Sequence, residues 1–594
     1  MKKSYFVGLV VVFSLITASC NNQFLDKAPG VDLTEDNAFQ NKASLESFMA
    51  TIYGYAMNSN FRYRNQNNYS TTVGVGGTDV IHPSASISDE GDASEANFVN
   101  NNRWNEGDIL PSNIVVREDY RYYIRWIALR QIAIVLKRVN EVPDADEAYK
   151  NQIIGEVRFL RAMNYMEMVK RYGGVPIVDK VYEPGVQVDV PRSSLEDCIN
   201  FIVADCDAAF PKLPAAYSPT QTGRAPALAA LALKSEALLY AASPQYNTAT
   251  PYISMTNAAD NKLICYGNYD VNRWKLAADA AKVALDFALA NGYGLINDPA
   301  NRNPKELDNG TPGPAGNYRD SWEIYNNKEL ILTYQGLAAS NISNAPLTLI
   351  TPTCYGAFWS GISVPLNFLK KYEKLDGTPQ TWDDAGGTDL IAKYAQLDPR
   401  FKQTLNYTNS YFNAQNPVSL IYDGGKDYKN CKGGLWMRKY IPRAARTGSP
   451  NVVLNDVLFR VNELYLNYAE ALNEFGGPTA EAYTAVNTIR TRSGMPNLPT
   501  GLTKEQFRAR VRNEIAVEMA YDDHRFWDVK RWLIAEEEGV MQGDFKGLQI
   551  TKVGNLYSWK PYTFEVRRFN KQMYLHPFPQ PEVLKGNLIQ NPGW

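Results

Sequence analysis

Between Val461 and Leu472 the apolar side chains fall at Val461, Leu464, Tyr465, Tyr468, Ala469 and Leu472. This is the i, i+3, i+4, i+7 stripe of an amphipathic helix. Gly476-Gly477-Pro478 ends it, and a second helix with Ala482, Ala485, Val486 and Ile489 on one face runs to near Gly494. Small residues along the contact predict an antiparallel helical hairpin. The pattern recurs upstream. Ile124 to Val139 and Ile153 to Val169 form another pair, and the Ala/Leu-rich run Ala225 to Ala242 stops at Ser243-Pro244. From Arg273 the stretch "RWKLAADAAKVALDFALANGYG" turns Ala277, Ala278, Ala281, Ala284 and Leu285 to one side.

A Trp opening an Ala-rich helix of this length resembles a tetratricopeptide-type unit. The blocks are too unlike one another for a clean array. The expected fold is mostly α, a tetratricopeptide-like helical-repeat scaffold with degenerate units. Two long segments break the periodicity: 58–110, rich in Asn, Ser and Gly, and 298–455, which holds many of the Gly, Pro, Tyr and Trp residues. Segments this long inside a compact protein are functional or disordered, and their aromatics argue against disorder. The prediction is a helical chassis whose long irregular loops form the ligand-binding face.

Composition sharpens this in one respect. The chain has 37 Tyr and 11 Trp in 594 residues, rings that fill cores and also stack on flat ligands and sugar faces. Its net charge of −2 gives no general electrostatic reason to bind nucleic acid.

The N-terminus reads as a targeting segment. Lys2 and Lys3 precede a mostly apolar run from Phe6 to Ile16, and Thr17-Ala18-Ser19 supply small residues before Cys20. The run is too short to span a bilayer as a helix. A cysteine directly after small residues marks a lipoprotein signal over 1–19, with Cys20 the lipidated N-terminus. That would anchor the chain to a membrane without inserting it. The remaining cysteines, Cys198, Cys206, Cys265, Cys354 and Cys431, are odd in number and irregular in spacing, which predicts buried thiols and no disulfide framework.

Catalytic motifs are absent from the sequence: no H-E-x-x-H, no G-x-S-x-G, no P-loop and no EF-hand loop. A scattered Ser-His-Asp set, or a carboxylate pair for glycoside hydrolysis, stays open. The stretch 521–532, "YDDHRFWDVKRW", has the look of an active site. However, Arg525, Lys530 and Arg531 are interleaved with Asp522, Asp523 and Asp528. Such ion pairs lower carboxylate pKa values, the reverse of what a general acid needs. The stretch reads as a structural brace, with Arg525 and Asp528 pairing to other scaffold helices and the tryptophans buried.

Several blocks together carry a family. "LFRVNELYLNYAEALNEFGG", "AVNTIRTRSGMP", "RNEIAVEMAYDDHRFWDVKRW" and "YLHPFPQPEVLKGNLIQNPGW" resemble the C-terminal half of the SusD/RagB nutrient-binding lipoproteins. "SCNNQFLDKAP", "VRFLRAMNYMEMVKRYGGVPIV", "GRAPALAALALKSEALLYAASPQYN" and "LDPRFKQTLNY" are similar to the family's mature N-terminus and inner signatures. Departures are Ile515 and Ala516, where the family usually has two arginines, and Asp522-Asp523, where it usually has Glu-Gly. The resemblance implies one SusD-like domain over 20–594 with its signature region at 456–594. It implies a surface lipoprotein of a Gram-negative outer membrane, partnered by a SusC-type TonB-dependent barrel. Such a protein captures oligosaccharides, or in some branches peptides, and is not an enzyme. Nothing in the sequence requires a cofactor or metal; a structural calcium ion stays open.

Sugar capture combines rings with groups that bind hydroxyls. In the first irregular segment Asp79, Arg103, Trp104 and Asn105 offer that combination. In the second, Tyr318, Trp322, Tyr355, Phe358 and Trp359 form the densest aromatic cluster, and "TPTCYGAFWSG" reads as a displayed loop. The competing reading is that these rings fill satellite cores, because large aromatics are highly buried on average.

Overall fold

The computed structural model describes residues 35–57, 84–94, 103–114, 121–182, 185–186, 189–302, 316–334, 347–356, 361–450 and 452–594. Cys20, Asp79, Phe358 and Trp359 lie outside them.

The periodic stretches are helices. They are α1 (Lys42–Ala56), α2 (Arg121–Arg138), α3 (Glu147–Tyr172), α4 (Leu195–Ala209), α5 (Ala227–Ala242) and α6 (Asn272–Ala290). Near the C-terminus follow α7 (Val461–Gly476), α8 (Ala480–Arg492), α9 (Lys504–Glu518) and α10 (Arg525–Arg531). Start signals are local. Asp146, Ser194 and Thr479 each accept a backbone N–H as N-cap, and Thr503 forms a reciprocal capping box with Gln506. Helix α3 stops at Gly173, whose φ of +73° suits glycine, and a Cβ there would come within 2.6 Å of the Leu263 carbonyl oxygen.

From α1 to α7 each helix packs on the next, and α7 also packs on α8 and α9. This is the stacking of a helical-repeat scaffold. The alanines explain the close approach. Ala277, Ala281, Ala284 and Ala288 are buried along α6, and small residues let neighbouring backbones come together. Trp274 closes that contact, buried against Leu239 and Ala242 of α5 and Ala471 of α7. A larger core runs from Leu45 and Ile52 through α2–α5 to Phe526, Trp527 and Phe578. All five described cysteines are free thiols, and four of them are buried.

Residues 298–455 hold more order than their sequence suggests. Strands β1 (Asp92–Ala93), β3 (Ile362–Ser363), β5 (Trp436–Met437) and β4 (Leu405–Asn406) form one small sheet in the order β1-β3-β5-β4. Strand β2 (Leu330–Tyr334) pairs antiparallel with β6 (Asp456–Arg460), Leu330 opposite Arg460 and Tyr334 opposite Asp456. That pairing ties the insert to the start of α7. The insert has its own core, with Tyr318, Trp322, Leu366, Tyr394, Phe401 and Trp436 buried together. A hairpin of β7 (Gly543–Val553) and β8 (Leu556–Arg567) closes over it. Its alternation buries Leu548, Ile550, Tyr557 and Trp559, and Gly554-Asn555 makes the two-residue turn. The helical reading of the C-terminal region did not anticipate this hairpin.

Candidate functional site

The stretch 521–532 is an anchor for the first irregular segment. Tyr521 and Asp523 adopt left-handed backbone conformations, φ +63° and +62°. This costs a non-glycine residue of order 1–3 kcal/mol and persists only where surroundings enforce it. Here they do. The Tyr521 amide donates to Glu90 Oε1 at 2.7 Å, and its hydroxyl donates to the Glu90 carbonyl at 3.1 Å. Ser84 bonds Asp523. Arg525 grips Asp89 with both prongs, Nε to Oδ1 at 2.7 Å and Nη2 to Oδ2 at 2.8 Å. A bidentate charged pair of this kind is what makes a buried ion pair tolerable.

The predicted pairing is therefore corrected in its partners. Arg525 reaches the irregular segment, not a scaffold helix. Asp528 bonds Arg531 one turn along its own helix at 2.7 Å, and it is Arg531 that crosses to Glu470 of α7, at 2.7 Å to each oxygen. Phe526, Trp527 and Trp532 are buried, as expected.

Electrostatics follow from this burial. Burial pushes the Glu90 carboxyl up to about 8. For Asp89, burial is outweighed by the Arg525 guanidinium and the Lys371 ammonium, which hold it below the ordinary range. Burial, with Arg525 nearby, lowers Lys371 to about 8. Asp89 and Glu90 are buried, and with Arg525 they hold the segment against the stretch 521–532.

The sequence-derived ligand residues divide sharply. Trp104 is 3% exposed and packs edge-on against Phe526, ring centres 5.6 Å apart. Asn105 is buried, its amide donating to the Ser86 carbonyl at 3.3 Å and to Glu565 at 3.4 Å. Tyr318 is fully buried, with its hydroxyl donating to the Glu518 carbonyl at 3.1 Å and accepting from Lys439 at 3.1 Å. Trp322 is buried beneath Tyr440. Tyr355 stacks on Phe412 at 3.8 Å and accepts from Asn406 at 2.8 Å. The reading of Trp104, Asn105, Tyr318, Trp322 and Tyr355 as displayed ligand contacts is thus corrected: each is core. Tyr318, Trp322 and Tyr355 build the core of the insert, which its short strands could not otherwise supply, while Trp104 fills the scaffold core and the Asn105 amide is spent on Ser86 and Glu565. Among the described candidates, Arg103 stays half-exposed, paired with Asp108.

Beside Arg103 lies a patch that the sequence reading missed. The Arg568 amide donates to the Asn105 carbonyl at 2.8 Å, which sets residues 103–108 against the end of the hairpin. There Tyr562 is 37% exposed and donates to the Lys432 carbonyl at 2.7 Å. Lys432 keeps a half-exposed ammonium 2.7 Å from Asp92. Glu565 accepts from Arg567 Nε at 2.7 Å. Burial and the Glu565 carboxylate push Asp92 up, while Arg567 more than offsets burial and pulls Glu565 down. An accessible ring with a cation and a carboxylate beside it can hold a hydroxylated ligand. The signal that could have found it was the strand alternation of 543–567. Among the described residues no three His, Cys, Asp or Glu side chains stand together as a metal site.

Two family models match the chain. The model described as the SusD family matches residues 313–594, and the one described as "Starch-binding associating with outer membrane" matches 23–239. A SusD-like protein, P38, of Formosa agariphila is 24% identical over 457 residues, covering 74% of this chain and 77% of its own. The crystal structure of a SusD-like protein from Bacteroides fragilis aligns with a TM-score of 0.74 at 24% identity, covering 96% of this chain and all of the other. A structure titled a laminarin binding SusD-like protein aligns with a TM-score of 0.56 at 19% identity, covering 94% of this chain and all of the other.

Proposed function

From the premise that this chain belongs to the SusD-like family, we propose that it is a glycan-binding lipoprotein of the outer-membrane surface. Anchored through Cys20, it captures oligosaccharides on the face that carries its irregular segments and delivers them to a SusC-type TonB-dependent barrel. It works as a binding protein and not as an enzyme. The observation that carries this reading is the match of both halves of the chain to SusD-type models, one of them described as starch-binding. The laminarin-binding neighbour supports the same ligand class. The exposed Tyr562, with Lys432 and Glu565 beside it, is described chemistry suited to a sugar: a ring for an apolar face and charged groups for hydroxyls.

Isothermal titration against starch, laminarin, mannan, xylan and uronate-bearing glycans, with peptide pools alongside, tests the proposal. Saturable binding of one glycan class without release of reducing ends is the expected result. Binding confined to peptides moves the protein to the peptide-capturing branch, and sustained production of reducing ends would make it a glycosidase.

A further inference from the structure

Helix α6 packs against α5 and α7 through its alanines, and its far side faces outward. There Leu276 is 54% exposed and Val283 55%, with Ala280 and Phe287 half-buried on the same line. The spacing 276, 280, 283, 287 is i, i+4, i+7, i+11, one continuous stripe along the helix. Apolar side chains exposed singly are ordinary on a surface, whereas a contiguous run of them marks a contact.

One flank of the stripe carries four exposed charges: Lys275, Asp279, Lys282 and Asp286. They pair along the helix, Lys275 Nζ with Asp279 at 2.5 Å and Lys282 Nζ with Asp286 at 2.7 Å. At about 100° per residue the stripe covers about 60° of the helix surface, and the charges fill a second band of about 60° beside it.

The order of these charges is its own complement. Read from 275 it runs plus, minus, plus, minus; turned end for end it runs minus, plus, minus, plus. A two-fold axis crossing the helix midway between 280 and 281 lays the charged flank of one copy on that of another. Lys275 then stands level with the partner's Asp286, and Asp279 with the partner's Lys282, and symmetry supplies the two reciprocal pairs. The same axis interleaves the stripes. Along the contact the order becomes the partner's Phe287, Leu276, the partner's Val283, Ala280, the partner's Ala280, Val283, the partner's Leu276 and Phe287. Successive side chains are about 3 Å apart along the axis, closing to about 1.5 Å at the centre. There the two small Ala280 side chains meet. Parallel pairing instead sets lysine on lysine and aspartate on aspartate, which repels.

We propose that this face of α6 is a self-association surface, on which a second copy of this chain docks antiparallel about that axis. One helix pair buries less than the roughly 800 Å² per partner of a standard stable interface, so the dimer is weak and reversible.

The test uses the mature chain with Cys20→Ser, so that it is soluble. Sedimentation equilibrium over a series of protein concentrations should show a reversible monomer–dimer equilibrium. Lys275→Asp with Lys282→Asp makes the flank uniformly acidic and should weaken the dimer at least about tenfold, because like charges then face each other. Adding Asp279→Lys and Asp286→Lys restores the alternation with its signs reversed. That fourfold variant should dimerise like the parent and should not pair with it, a pattern that no folding defect imitates. Ala280→Cys should cross-link to its own copy on mild oxidation. Ala290→Cys should not, since the axis sets its two copies about 28 Å apart along the helix. A parent chain that stays monomeric at the highest concentration overturns the proposal. So does a dimer indifferent to the double variant, or cross-linking as ready at Ala290→Cys as at Ala280→Cys. None of these readouts needs a glycan, so failure of the proposed function does not decide this one.

Discussion

The scaffold and the insert are held by different forces. Between α3 and α6 the contacts are mainly apolar, with a few buried ion pairs set among them, Arg161 to Asp205 at 2.6 Å and Lys170 to Glu167 at 2.5 Å. Where the insert meets α7–α9 the seam is ionic. Arg460 reaches Asp522 at 2.5 Å and Glu329 at 3.1 Å, Lys439 reaches Asp522 at 2.5 Å, and Glu514 lies between Arg400 at 2.5 Å and Arg490 at 2.9 Å. Arg492 bonds Glu518. All of these groups are buried. Apolar helix packing tolerates sliding and volume-conserving exchange, whereas a lattice of fixed charge pairs has one low-energy register. The seam fixes where the insert sits, at the cost of desolvating many charges.

The largest expected effect breaks that seam. Arg460→Met leaves Asp522 and Glu329 each short of a buried partner and should cost about 4 kcal/mol, the range for removing one member of a buried pair. Chemical denaturation measures it. A loss under about 1 kcal/mol would mean that water or relaxation replaces the arginine and that the seam does not set register. Trp104→Ala is next, at about 3 kcal/mol, the lower end for a buried Trp→Ala change. Because Trp104 belongs to the scaffold core, any loss of glycan binding should track the loss of folded protein; a fully folded Trp104→Ala protein with lost binding would return this ring to the ligand site.

These two residues show what the sequence could convey. The helices were legible because their apolar stripes repeat every 3.6 residues, and the boundaries at Ser243-Pro244 and Gly476-Gly477-Pro478 fall where helices end. The insert was not, because most of its strands are two residues long and its core is assembled from rings far apart in the chain. Arg525 and Asp528 could be read as ion-pairing residues from their mixed-charge setting. Their partners could not be read: Asp89 lies 436 residues away in the chain from Arg525. The density of rings at 318–359 predicts display, whereas Tyr318, Trp322 and Tyr355 fill the core of the insert. The hairpin was legible in principle, through the alternation either side of Gly554-Asn555.

A smaller effect separates the regions by pH. Glu90, at the root of the first irregular segment, has its carboxyl raised to about 8 by burial. Its folded pKa lies above the unfolded value, so the folded state holds an extra proton between about pH 4.5 and 8, and stability falls as pH rises through that window. Glu463, raised to about 7 mainly by burial, acts in the same direction. Glu90→Gln keeps an acceptor for the Tyr521 amide and removes the titration. It should be near neutral at pH 5 and stabilising by about 1–2 kcal/mol at pH 8, as expected when one buried charge is avoided. Parallel melts at the two pH values check it, and an equal effect at both would show that Glu90 is ionised throughout.

The smallest effect on stability belongs to Tyr562, and it has the most to say about ligand. The ring stands outside both cores, held by one hydrogen bond to the Lys432 carbonyl, so Tyr562→Ala should change stability by less than about 1 kcal/mol. If the hairpin's outer face takes part in glycan capture, the lost ring contact is worth about 1 kcal/mol, a fall in affinity of about fivefold. Tyr562→Phe retains the ring and should retain most of the affinity. Titration of whichever glycan the wild-type protein binds distinguishes the two. Equal affinity for wild type and Tyr562→Ala would confine the glycan contacts to other parts of the irregular segments and leave this hairpin as the cover of the insert's core. A selective loss in Tyr562→Ala would show that the hairpin, which buries Tyr557 and Trp559 in the core of the insert, keeps this ring for the ligand.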